Sequence, residues 1–338
     1  MKKIILVITC FFSIKTQAQT IEILTKGNKT SIRGLSVVND NIFWASGSNG
    51  MIAKSTNGGK TIEWQQVKGY EKRDFRDIEA FDSNTAIIMG VDWPAVILKT
   101  KDGGKNWYKV FEDSTKGMFL DAMDFDGKNG VVIGDPINDT AFIAMTDNGG
   151  ERWTKISKAK KSSFKLNTGE AFFASSGTNI KLITPKDERP YFFCVSGGLK
   201  SRLFSFDKHI DSLQIIQGTE STGANSMDVN VKSKRGIVVG GDFTNDKNST
   251  SNCILIDFTK ESKFSIPQTP PHGYRSCVIY VTDKKLITCG TSGIDISNDG
   301  GNNWQLISNE SFHVVQKAKK GKTVYLAGAM GRIAKVIF

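Results

Sequence analysis

The sequence predicts an all-β fold, a seven-bladed β-propeller closed by the N-terminal strand joining the last blade, on three observations. A glycine-rich turn is written four times, as STNGGKTIEW from Ser55, TKDGGKNW from Thr100, TDNGGERW from Thr146 and SNDGGNNW from Ser297. The first three copies begin 45 and 46 residues apart, a spacing that suits four-stranded repeat units. Between them run short apolar stretches broken by turn residues, with no long helical period.

Each part of the turn has a physical task. Ser55, Thr100, Thr146 and Ser297 bring a hydroxyl, and Asn57, Asp102, Asn148 and Asp299 bring an acceptor two residues on. Gly59, Gly104, Gly150 and Gly301 end glycine pairs suited to positive φ. Trp107, Trp153 and Trp304 close three copies and anchor the next strand, whereas the first copy has Ile62 there and Trp64 two residues later.

The units follow in order. The first reads IRGLSVV, NIFWASG and MIAKST before its turn; the second reads FRDIEAF, TAIIMG and AVILKT; the third reads FLDAMDF, GVVIGD and AFIAMT. The 151 residues from Thr146 to Ser297 hold three repeat lengths, so two units have lost the turn. The fourth is expected to be GEAFFASS, YFFCVSG and SRLFSFD with an insertion near Pro185, and the fifth SMDVNV, GIVVGG, CILIDF and KFSIP. The sixth is YRSCVIYV, LITCGTSG, IDISNDGG and WQLIS. A last unit, FHVVQKA, TVYLAG and RIAKVIF, has one strand too few. TIEILTK, residues 20–26, is expected to supply it, because joining the chain ends removes an open β-edge.

The opening MKKIILVITCFFSIKTQAQT has a basic start, a short apolar run and small residues before a cut after Ala18. Residues 1–18 therefore read as a secretory signal peptide, and 19–338 as one propeller domain, exported to the periplasm or beyond, monomeric and without a transmembrane span. The leader's Lys2, Lys3 and Lys15, with no acidic residue, account for three of the chain's net +11 charges. The remaining excess, densest at KAKK from Lys158 to Lys161, favours an acidic partner, and no nucleic-acid module accompanies it. Cys194, Cys253, Cys277 and Cys289 sit in apolar runs. A two-residue turn at Asp283 and Lys284 would set Cys289 opposite Val278, facing away from Cys277, so free thiols are expected. His209, His272 and His313 make no ligand set with these cysteines, and no dinucleotide, flavin or haem motif occurs, so neither metal nor cofactor is expected.

On these turns and units the chain resembles the photosystem II stability and assembly factor-like propellers, and its Asp-boxes resemble the BNR repeats of sialidase-type propellers. The resemblance implies a binding surface on the channel mouth opposite the Asp-box turns. Arg33 and Arg76 stand fourteen residues before Gly47 and Gly90, as Leu120 does before Gly134, and the same place later falls near Glu170, Ser226, Arg275 and His313. Arg33, Arg76 and Arg275, with His313, would form a cationic rim able to hold carboxylates or phosphates. The competing reading ties each arginine to a neighbour, such as Asp74 or Asp77 beside Arg76. Asp92, Asp135 and Asp242, with Asn245 and Asp246, add acidic and amide groups from the next loops, where they are also ordinary turn formers. SGGLKSR, from Ser196 to Arg202, could bind an anion through its amides, without the order of a phosphate loop.

The function expected is a non-enzymatic binding or assembly module of the cell envelope, holding a protein or acidic partner. The alternative is a sialidase-like or other glycan-cleaving hydrolase. Against it, Arg33 is followed by Gly34 and Leu35 instead of Ile-Pro, and no tyrosine and glutamate combination stands out.

Overall fold

The computed structural model describes residues 19–156, 164–206, 209–261 and 263–338. The expected leader, residues 1–18, and the KAKK cluster at 158–161 lie outside the described residues. The chain forms seven antiparallel sheets, the blades, whose first strands are Ile32–Val37, Phe75–Ala80, Leu120–Asp126, Ile180–Ile183, Thr222–Asn230, Cys277–Tyr280 and Val314–Lys317. These strands touch from blade to blade around a ring, Val314–Lys317 closing it against Ile32–Val37. Later strands step outward, and the outermost strand of blade 7 is Thr20–Thr25, paired with Ile333–Ile337 from Thr20 opposite Ile337. The N-terminal strand thus closes the propeller, as the missing strand of the last unit required.

The four repeated turns join the third and fourth strands of their blades. In each, the hydroxyl accepts from the backbone N–H of the second glycine, at 2.9 Å for Ser55, 3.0 Å for Thr100, 3.1 Å for Thr146 and 3.0 Å for Ser297. The same hydroxyls donate to Asn57, Asp102, Asn148 and Asp299. The first glycine of each pair donates to the turn between strands one and two of its own blade, Gly58 to Asn41 O, Gly103 to Asn84 O, Gly149 to Lys128 O and Gly300 to Lys284 O. All four turns therefore lie at the end where the first strands finish. Both faces of each blade pack on neighbours, so the apolar clusters straddle adjacent sheets: Trp44 of blade 1 is fully buried and meets Trp107 of blade 2 edge-on at 6.5 Å.

Blade 4 departs from its expected layout. GEAFFASS is not its first strand, which is Ile180–Ile183 followed by Tyr191–Val195, Arg202–Ser205 and Ile210–Ser212. Pro185 lies in the turn between the first two. Residues 173–178 instead run across the channel. Ser175 O accepts from Arg33 of blade 1 at 3.1 Å, and Ser175 Oγ donates to Asn225 of blade 5 at 3.0 Å. Ser176 Oγ donates to Ser276 O of blade 6 at 2.7 Å, and Thr178 O accepts from Met227 N–H at 2.8 Å. Gly177, at φ +68°, lies against Asp77 of blade 2, and a Cβ there would come within 2.4 Å of that carboxylate. An apolar run rich in phenylalanine looks like a strand in sequence; here the same side chains face a channel and a neighbouring blade.

The expected two-residue turn at Asp283 and Lys284 is also replaced. Val281 N–H donates to Lys285 O at 2.8 Å, which makes the connection one residue longer and sets Cys277 directly opposite Cys289. A one-residue change of register reverses the face of every side chain beyond it. The four described cysteines are buried free thiols. No helix among the described residues is long and apolar enough to cross a membrane.

Candidate functional site: the channel mouth opposite the Asp-box turns

Four first strands carry a β-bulge at the same place. The register shifts between Ile32 and Gly34, Phe75 and Asp77, Leu120 and Ala122, and Ala224 and Ser226. The residue left out of the ladder is Arg33, Arg76, Asp121 or Asn225, and a bulge of this kind re-aims its side chain. All four line one cup of about 420 Å³ at the channel mouth, joined by Ser276 of blade 6 and His313 of blade 7. Ala174 and Ser175 of the crossing segment contribute to its lining, and Phe119, Phe172, Phe173, Phe243 and Tyr274 to its apolar part. The far side of the segment, Gly177 and Thr178, lines a second cavity of about 310 Å³ at the Asp-box end. The axis is thus divided in two.

The two arginines are incompletely paired. Arg33 donates once, to Ser175 O, and burial followed by the nearby Arg76 charge lowers its pKa. Arg76 reaches only Asp74, at 3.5 Å, lies over the Phe119 ring at 6.0 Å, and leaves its buried Nε without a partner. Asp121 is fully buried with both carboxylate oxygens unpartnered, and burial, then the Asp135 charge, raises its pKa well above the carboxylate range. His313 bonds Ile32 O through Nδ1 at 2.9 Å, which makes Nδ1 the protonated nitrogen; burial, then Arg33, brings its pKa down to about 4. The imidazole is neutral near pH 7 and adds no charge to the rim.

The other residues expected at the rim lie elsewhere. Arg275 is fully buried and bonded to Asp295, because Ser276, fourteen residues before Gly290, holds the place that Arg33 holds in blade 1. Glu170 is buried in an ion pair with Arg202 at 2.6 Å and accepts from Ser196, which also commits the SGGLKSR stretch to a structural contact. Ser226 accepts from Val278 N–H at 3.0 Å, a link between blades, one residue beyond the bulge. Asp92 lies on a shallow groove with Trp93 and Tyr70, and Asp242 caps its own loop by accepting from Thr244. Asp135 stands behind the cup, accepting from Phe172 N–H at 3.1 Å. Sequence spacing missed Asp121, since Leu120 holds the counted position, and missed Asn225, since the fifth unit's connection is longer by one.

At the Asp-box end several charged groups are held by bonds between blades. Asp124 accepts from Leu182 N–H at 2.6 Å and Asp228 from Tyr280 N–H at 2.8 Å, with Lys181 3.5 Å from Asp228. Lys319 bridges Glu79 and Ser36. These groups stitch blades together.

Burial raises Asp135 to about 6, above the unfolded carboxylate value of 3.8. An acid whose folded pKa is raised loses folding stability as pH climbs from about 4 through about 6. Asp135→Asn keeps an acceptor for Phe172 without that charge, so it should gain about 1–2 kcal/mol over wild type at pH 7.5 and nothing at pH 4. His313, lowered from 6.5 to about 4, acts oppositely and loses stability as pH falls through that range. The variant should therefore be the more acid-sensitive protein, and urea unfolding at both pH values checks this. An equal difference at both would show that Asp135 is not desolvated.

Comparison with known proteins bears on this geometry. Residues 62–168 match the sequence family described as Photosynthesis system II assembly factor YCF48. The chain resembles the YCF48 propellers. The structure of YCF48 bound to D1 peptide is similar to it with a TM-score of 0.65 at 15% identity, over 94% of this chain and 95% of that one. YCF48 from Cyanidioschyzon merolae gives a TM-score of 0.62 at 15% identity, over 94% and 98%. No curated protein matches this chain. At such identity the likeness to YCF48 structures is one of fold. The YCF48-matching stretch runs from the first Asp-box through blade 3 and stops at Thr168, just before the segment that crosses the channel.

Proposed function

We propose that this chain is an exported, monomeric, non-enzymatic binding and assembly module of the cell envelope, which holds a protein partner by an acidic segment seated in the channel-mouth cup. The observation that carries the proposal is the pair Arg33 and Arg76. Two guanidinium groups of like charge crowd one half-buried wall with few acceptors of their own, and a carboxylate between them relieves that repulsion while satisfying idle donors. Aromatic walls supply apolar contact beside the charge, the usual composition of a binding pocket. YCF48, a propeller of this architecture, has been solved bound to D1 peptide, which supports a peptide as occupant. The crossing segment makes the cup blind, so a partner enters it as a turn or a chain end and does not thread the ring.

The glycan-cleaving alternative needs a tyrosine nucleophile beside a glutamate. Tyr274 lines the cup, yet its hydroxyl donates to Asn225 at 2.9 Å, and burial pushes it up to about 12. No glutamate lines the cup among the described residues. The reading is tested by placing a photo-crosslinking phenylalanine at position 243, on the cup rim, or at position 105, in an Asp-box turn, in the living host. Phe243 is 47% exposed and Lys105 is exposed, so both probes are available to a partner. A discrete protein adduct from position 243 alone is expected; adducts from position 105 alone would place the partner on the other face.

A further inference from the structure

Cys277 and Cys289 stand just beneath the cup, next to its lining residues Ser276 and Thr291 on neighbouring strands. They are Cα partners in the first hairpin of blade 6, both fully buried in one apolar cluster. Directly opposed residues of an antiparallel pair lie about 4.5–5.5 Å apart at Cα, within the roughly 4.4–6.8 Å that a disulfide spans. As directly opposed residues, their side chains leave the same face of the hairpin. Around Cys277, Val315 O accepts its S–H at 3.3 Å and Thr178 Oγ1 of the crossing segment lies at 3.5 Å. Cys194 faces Ile180 and Phe204, and Cys253 faces Val239, so neither has a cysteine opposite it.

We propose that Cys277 and Cys289 are a disulfide-forming pair, oxidised by exchange with a small or protein disulfide. One thiolate attacks a sulfur of that oxidant and releases its first thiolate. The second cysteine, as thiolate, attacks the protein sulfur of the mixed disulfide and releases the other. The two cysteines lose two electrons and two protons in total, the oxidant's sulfurs gain the electrons, and the protons pass to the released thiolates or to solvent. The bond ties the two innermost strands of blade 6 together directly below the Ser276 and Thr291 wall of the cup. Its one local loss is the S–H donor to Val315 O. The pairing follows from register alone and does not depend on what the cup binds.

The full-length protein is unfolded in guanidinium chloride, refolded into a buffer of reduced and oxidised glutathione, denatured again in the presence of iodoacetamide so that every remaining thiol reacts, and mapped by mass spectrometry. A Cys277–Cys289 cross-link is expected, with Cys194 and Cys253 alkylated, together with a melting temperature about 5 °C above that of the dithiothreitol-treated protein. A Cys277→Ser variant should lose both the cross-link and the rise. Folded protein in which Cys277 and Cys289 are both alkylated, or carry glutathione, would overturn the proposal. Where refolding fails, protein synthesised in an oxidising cell-free mixture, so that exchange occurs while the chain folds, is alkylated and mapped in the same way.

Discussion

Replacing Arg275 with alanine is expected to cost the fold about 3–5 kcal/mol while leaving the cup's arginines in place. Arg275 and Asp295 are both fully buried. The guanidinium gives Nε to Asp295 Oδ2 at 2.7 Å, further N–H groups to Tyr274 O and Ser292 Oγ, both at 2.8 Å, and another to His272 O at 2.6 Å. Truncation strands a buried carboxylate whose remaining side-chain partner is His272 Nδ1 at 2.6 Å, takes the guanidinium from Tyr274 O, and leaves His272 O with only the long bond from Ser292 Oγ at 3.4 Å. Removing both charges with Arg275→Met and Asp295→Leu should recover most of the loss, since well-packed apolar groups can replace a buried ion pair. Urea unfolding of the three proteins measures this. A single-variant loss under about 1 kcal/mol would mean that Arg275 is solvated and could stand at the rim after all.

The position of Arg275 also marks how far sequence reaches. Blade number, Asp-box chemistry and the Thr20–Thr25 closure were legible because each depends on local turn chemistry or on a repeat that can be counted. Arg33 and Arg76 were found by counting from a glycine, for the same reason. The method fails where one residue is gained or lost. Arg275 is fifteen residues before Gly290, so a one-residue offset turns it from the mouth into the blade interior. The same arithmetic misjudged the hairpin that brings Cys277 opposite Cys289. The crossing segment was hidden for another reason. Phe172 and Phe173 make an apolar run like that of any strand, and only the surrounding ring determines that Phe173 packs on Phe243 while Ser175 and Ser176 bond blades 1, 5 and 6. Asp121 has a legible signal in retrospect, the residue after Leu120 in a strand whose register shifts there, but a bulge cannot be counted from one unit alone.

The double reversal Arg33→Glu, Arg76→Glu bears on the proposed function itself. It replaces two crowded cations by two anions at a half-buried wall, so a carboxylate that gained charge-assisted bonds there would meet repulsion; truncating one such partner typically costs about 2–5 kcal/mol of binding. Little bonding is lost, since Arg33 makes one hydrogen bond and Arg76 one pair at 3.5 Å, but the new carboxylates stand beside the buried Asp121, so unfolding free energy should fall by about 1–3 kcal/mol and binding is compared where all three proteins are folded. The deciding measurement is the dissociation constant of the partner captured at position 243, at fixed salt, for wild type, the double reversal and a Lys105→Glu control in an Asp-box turn. The proposed site predicts a loss of at least about 100-fold for the double reversal and less than about twofold for the control. Equal affinities for all three proteins, or a loss confined to Lys105→Glu, would contradict it.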